Sequence, residues 1–431
     1  MNTKTASYVL FAFLCMIIAH ASAAEPERGL LPPVQSNVAA QDKEKGQPKP
    51  PDKEKAPPPK KLTEPAQTDV FAQAPTMSSE FPTGFNPNML GDFHGYFARQ
   101  TFAVLGTQTV NTNKVFVGSA PLITTNAVAT VPTVQNRTAL VPFSAYGDFK
   151  IADNESPRPT DRVFVLYNYF GSLRGPATGA GTPIVTTTTT RTFVQGRQGP
   201  VATTVTNTTV IPGLPTPTAN LHQEVFGFEK TFLDGRASVE LRVPFSQQHG
   251  NLDGVGSDNV GDLTIIGRYA LLLDRDTGNV FTTGLGITVP SGPSVQTIDG
   301  NLHSTLIQPW IGYIWNADRF FLHAFHSVVV PTDNRDVTLM FNDVGLNYWL
   351  YRSNNNRLLS FVVPMIEAHV TTPLNHRDSV SAIYVPDMVV MTGGVHFGIG
   401  RNTTLSLGVA TPVTGPQPYN IEAFMQLNWR F

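Results

Sequence analysis

The 431-residue chain has one cysteine, Cys15. It can therefore form no internal disulfide, no cysteine-ligated metal site and no thiol pair. Charge is also scarce: charged residues make up 14% of the chain, against roughly 25% in ordinary soluble domains. A formal net charge of -2 leaves no dense basic surface for nucleic acid. The longest apolar run, Tyr8 to Ala19, falls short of the roughly 20 residues a helical membrane span needs. No later stretch approaches that length, so no helical span is expected. Yet mean hydropathy is only -0.08. A chain poor in both charge and grease suits strands that alternate apolar and polar side chains.

The front of the chain reads as an export signal over residues 1–23: a basic start from Met1 to Lys4, the apolar run, then Ala21-Ser22-Ala23 with cleavage expected after Ala23. Leu14 is too large for a lipoprotein cleavage site, so Cys15 is expected to leave with the signal. Residues 24–80 are expected to be a disordered, Pro/Lys-rich periplasmic tether. Between Asp42 and Lys61 the sequence Asp-Lys-Glu-Lys recurs, dense in proline and charge, and such composition buries no core. Residues 81–160 open with Phe81, Phe85, Phe93, Tyr96, Phe97 and Phe102, and Lys114 to Thr125 has strand character. This N-terminal segment either folds as a plug into the lumen of a barrel built by residues 161–431 or packs beneath it.

From residue 161 to 431 the chain repeats strand, connection, strand. Strands are expected near 161–170, 221–232, 237–246, 259–273, 280–290, 305–316, 318–330, 341–352, 358–370, 388–399, 404–413 and 419–431, twelve in all. Short connections rich in Asp, Asn and Gly, such as Leu233-Asp234-Gly235-Arg236, alternate with longer ones. That alternation predicts a transmembrane antiparallel up-and-down β-barrel of about twelve strands, with both termini on the short-turn side. Within the longest connection, 171–220, Ile184 to Val194 and Val201 to Ile211 flank Gln195-Gly196-Arg197-Gln198-Gly199. They form an external hairpin, an inward constriction, or two more wall strands, giving fourteen.

Period-two alternation assigns faces. Val239, Leu241, Val243 and Phe245 oppose Ser238, Glu240, Arg242 and Ser246; Val344, Leu346, Tyr348 and Leu350 oppose Asp343, Asn347 and Tyr351. A charge facing lipid costs about 2 to 4 kcal/mol at the midplane, so the polar sets are expected to line the lumen. The inward set is Glu240 and Arg242, Asp262 and Arg268, Asp343 and Asn347, Glu367 and His369, His396, and Glu422, Gln426, Asn428 and Arg430. Charges of both signs across a narrow lumen favour small polar solutes or pair as wall-stabilising bridges. Gly284, Gly286, Gly394, Gly398 and Gly408 leave room on the same face for a solute or a plug. Segments 221–232 and 318–330 alternate too poorly to assign. Tyr167 and Tyr169, Tyr313 and Trp315, Tyr348 and Trp349, and Trp429 and Phe431 are expected to form aromatic girdles.

The last strand alternates Ile421, Ala423, Met425, Leu427, Trp429 and Phe431 with polar residues. It resembles the closing strand of bacterial outer-membrane barrels, whose aromatic terminus, here Phe431, is read by the barrel assembly machinery. Outer-membrane lipids and small solutes are then the expected partners, in the outer membrane of a diderm bacterium. Catalysis finds no support. His303-Ser304 and His326-Ser327 place each pair on opposite faces of a strand, and the odd spacing of His323 and His326 separates their rings. No enzyme activity, cofactor or metal site is expected.

Gly261-Asp262-Leu263-Thr264-Ile265-Ile266-Gly267-Arg268-Tyr269, Thr283 to Gly292, Gln308 to Tyr313 and Glu367 to Leu374 resemble the outer-membrane barrels grouped as meta-pathway phenol-degradation proteins. The resemblance covers roughly 161 to 431 and carries over no binding residues. It implies a transporter of small, often aromatic, compounds. The reading is a channel for passive passage of small solutes. The alternative is a non-transporting barrel for envelope anchoring or surface display.

Overall fold

The computed structural model describes residues 85–92, 95–116, 123–143, 150–176, 181–196, 199–252, 255, 257–353 and 358–431. The signal with its Ala23 cleavage site, the tether, Phe81 and Phe93 lie outside them. Among the described residues no helix is long and apolar enough to cross a membrane.

Twelve strands close into an antiparallel barrel. They are β1 Arg162–Arg174, β2 Thr218–Phe232, β3 Ala237–Gly250, β4 Leu263–Leu273, β5 Val280–Val289 and β6 Leu306–Ala317. Then come β7 Phe320–Pro331, β8 Leu339–Tyr348, β9 Leu359–Pro373, β10 Met388–Ile399, β11 Thr403–Pro412 and β12 Ile421–Arg430. Each pairs with its chain neighbours, and β12 closes on β1 with Met425 opposite Tyr167. Two short strands, Ser257–Val260 and Tyr351–Arg352, pair on β3 and β9. The tight connections collect at one end, here the turn end. Leu233, Asp234 and Gly235 there take φ of 52°, 56° and 76°, a left-handed run that Asp and Gly tolerate in so short a reversal.

Among the described residues, the connection between β1 and β2 adds no strand to the wall. Ile184–Gly196 and Gly199–Ile211 form a hairpin at the loop end. The strand Gly199–Ile211 pairs with Phe97–Phe116, which itself pairs along its whole length with Ile123–Pro142. Two hairpins, one from the front of the chain and one from a wall loop, thus make, with the short strand Ile383–Tyr384 of another wall loop, a five-stranded sheet outside the barrel. Both its faces carry threonine, and Ile184 to Gln195 are exposed throughout.

The front of the chain passes through the barrel twice. Residues 85–92 climb from the turn end, where Asn86 bonds Asn316 at 2.8 Å, towards the loop end. There Tyr96 and Phe143 pack with Leu306, Val329 and Leu339. After the hairpin the chain descends, and residues 150–160 reach the turn end, where Arg158 donates to the Gly278 carbonyl at 2.7 Å. The two passes bond each other, Met89 N to Glu155 O at 2.8 Å.

This second layer explains the strands whose alternation is too poor to assign. On β7 the inward set is Phe321, His323, Phe325, Ser327 and Val329. On β2 it is Leu221, Gln223, Val225, Gly227 and Glu229. Where the inner face packs on protein instead of water, apolar side chains are favoured on both faces and the period-two signal fades. Trp349, expected among the girdles, instead packs inward against Phe321 and Phe361. It follows the last residue of β8, where the chain has left the strand.

Candidate functional site

Inward aromatic rings lie flat on the wall because glycine sits beside them on the neighbouring strand. Phe164 pairs with Gly227, Trp310 with Gly284, and Phe361 with Gly398. A Cβ on Gly227 would come within 2.0 Å of the Phe164 ring, and one on Gly284 within 2.3 Å of Trp310. Ring-on-glycine pairing leaves lumen that the two passes occupy. Gly394 and Gly408 do so directly, since a Cβ there would meet Leu90 Cδ1 at 2.3 and 2.5 Å. Gly286 is buried on the same face.

Most charges of the inner face fall into two groups. In the first, β1, β2, β3 and β4 bring Arg162, Glu229, Glu240, Arg242 and Arg268 together, all buried. Arg162 bonds Glu229 at 2.7 Å and Glu240 at 2.8 Å; Arg242 and Arg268 bond Glu240 at 2.6 and 2.8 Å. The descending pass inserts Glu155 into their midst, at 3.0 Å from Arg162, 2.6 Å from Arg242 and 2.5 Å from Arg268. Three guanidiniums face two wall carboxylates, so Glu155 supplies the charge that brings the group to neutrality. Phe164 stacks on Arg162 at 4.5 Å and on Arg242 at 5.3 Å, the cation-on-ring geometry that a desolvated guanidinium favours.

The second group lies across the lumen on β8 and β9. Lys150 of the descending pass sits 2.5 Å from Asp92 and 2.8 Å from Asp343. His369 Nδ1 is 2.9 Å from Asp343, and its Nε2 is 3.2 Å from Glu367. Both Glu367 oxygens accept backbone N–H groups of the climbing pass, from Leu90 and Gly91 at 2.9 Å each. Asp92, Asp343 and His369 bring ligand atoms within 4.8 Å of one another, a spacing able to hold a metal ion. The Lys150 ammonium already lies against both carboxylates and supplies the positive charge they require.

Other expected lumen residues bind the same segment. Gln426 donates to the Leu90 carbonyl at 2.7 Å, and Asn428 bonds Asn154 at 2.8 Å and Arg162 at 2.9 Å. Arg430 lies 3.5 Å over the Phe85 ring. Asn347 and Glu422 are buried on the inward face, and His396 bonds Ser406 on the next strand at 2.8 Å. Asp262 stands apart from both groups, holding the loop after β5 through His303 at 3.0 Å and Gly292 N at 2.7 Å. Asp161, just before β1, ties that strand to β2. Burial opposes its ionisation, but hydrogen bonds from Lys230 at 2.8 Å and from Thr231 hold its carboxyl below the ordinary range.

Sequence reading missed Arg162, Glu229, Glu155, Lys150 and Asp92. Glu229 lies on β2, whose alternation is blurred, and the last three lie in a segment without periodicity. The legible signal was the chemistry of Arg242 and Arg268, since two buried arginines on neighbouring strands demand buried acids.

No family model matches the chain, and no curated protein matches it. Among solved structures it is similar to an outer membrane channel from Pseudomonas putida F1, with 11% identity and a TM-score of 0.42, covering 66% of this chain and 100% of that one. The phenol-degradation resemblance therefore rests on its strand-and-turn motifs alone.

Proposed function

We propose that this chain is an outer-membrane channel for small solutes, closed at rest by its own residues 85–92 and 150–160. One observation carries the reading: the lumenal segment is held largely by ion pairs and hydrogen bonds to a charged inner wall. Water can replace polar contacts of this kind, and the barrel left behind would have a polar lumen. A purely structural filler is served as well by apolar packing. The turn end is assigned to the periplasm and the five-stranded sheet to the cell exterior, following the loop-length asymmetry of outer-membrane barrels. Small aromatic compounds are the solute class that the motif resemblance implies.

Surface display is the second reading, favoured by the hairpin Phe97–Pro142 that the lumen delivers to the loop end. Solute-induced swelling of proteoliposomes separates the two. Swelling with small solutes, enhanced when Lys150→Met weakens the segment's attachment, supports the channel. A folded barrel that passes no solute in either form sinks it and leaves display.

A further inference from the structure

The carboxylate at the centre of the arginine group does not belong to the wall. Glu155 meets all three guanidiniums, its Oε1 accepting from Arg162, Arg242 and Arg268 at 3.0, 2.6 and 3.0 Å and its Oε2 from Arg268 at 2.5 Å. Glu229 and Glu240 hold the same arginines from the side, at 2.6 to 2.8 Å. The site is thus preorganised by wall residues and completed by a removable one. With the segment withdrawn, three arginines face two glutamates, and one positive charge lacks its partner in a fork geometry suited to a single carboxylate.

Beside it the two passes together fill an apolar space. Met89, Ile151 and Ala152 pack against Ile266, Trp310 and Phe325 of the wall. Trp310 also lies 5.8 Å from the Arg268 guanidinium. A ligand able to replace both parts of the segment carries a carboxylate on a compact apolar or aromatic body.

We infer that Glu155 stands in for a solute carboxylate. Arg162, Arg242 and Arg268 recognise a small aromatic carboxylate, which displaces Glu155 and so opens the lumen. This rests on the channel reading. Ligand and segment compete for one site, so opening is saturable in the carboxylate and follows the difference in affinity between the two.

The test is single-channel recording of the full-length protein in planar bilayers, with sodium benzoate compared against benzyl alcohol at equal concentration and constant ionic strength. Benzoate is expected to raise the open probability saturably, and benzyl alcohol to leave it unchanged. Glu155→Gln shifts the benzoate dependence about tenfold lower, the factor corresponding to about 1.4 kcal/mol of weakened segment binding. Arg268→Met abolishes the dependence. If the wild type or a variant conducts but answers both solutes equally, or neither, the carboxylate site is overturned and the channel stands. Silence from every form under both solutes, with the barrel folded by its heat-modifiable mobility, overturns both. Should a variant fail to fold, the wild-type comparison of the two solutes decides alone.

Discussion

Glu155 concentrates the stability of the lumen in one side chain. Removing one member of a buried, hydrogen-bonded charge group leaves the others uncompensated, at a cost of about 3 to 5 kcal/mol. Glu155→Ala is therefore expected to lower the unfolding free energy of the folded barrel in urea by that amount, and Glu155→Gln, which keeps hydrogen-bond acceptance, by less. Equal midpoints for Glu155→Ala and wild type would deny the ion group its role. Leu90 gives a second check, because a Cβ on Gly408 would meet Leu90 Cδ1 and Phe424 Cε2, each at 2.5 Å. Overpacking of this kind costs about 1 to 3 kcal/mol. Gly408→Val should destabilise by that much, and Leu90→Ala should recover part of the loss in the double variant, a coupling that only direct contact produces. Glu240, Arg242, Arg268, Asp343 and Gln426, which alternation marks, lie on regular strands. Glu155, Lys150 and Asp92 occupy irregular backbone, where no period marks the side chain that faces a partner.

Among the strands and their connections, the short turns and the loop hairpin were legible because Gly, Asp and Asn punctuate them. What the hairpin pairs with was not. Its partner strand Phe97–Phe116 lies far away in sequence, and two threonine-rich strands offer many registers of similar energy. The observed register places Gln108 opposite Thr209. Cysteines at Gln108 and Thr209, in a Cys15→Ser chain, should form a disulfide under mild oxidation, since paired strand residues lie within disulfide reach. Cysteines at Gln108 and Thr203 should not, being offset by about 20 Å along the strand. Equal cross-linking of both pairs would refute the sheet. The same logic explains β7. Its inner Phe321, Phe325 and Val329 face protein, and the alternation expected of a water-filled barrel is lost there.

At the scale of the whole fold, the described residues form a barrel whose lumen contains its own chain. Twelve strands and their alternating connections could be read from the sequence because an apolar outer face and a polar inner face impose period two. Occupancy of the lumen could not, because residues 85–92 and 150–160 are ordered by the wall around them and not by any pattern of their own. Whether this segment closes a channel is decided by single-channel conductance of the full-length protein beside a chain lacking residues 24–159, both shown to be folded by heat-modifiable mobility. Rare or brief openings are expected from the full chain and steady conductance from the shortened one. Equal silence from both would contradict closure by the segment, and the barrel would then be a carrier of its surface sheet and not a channel.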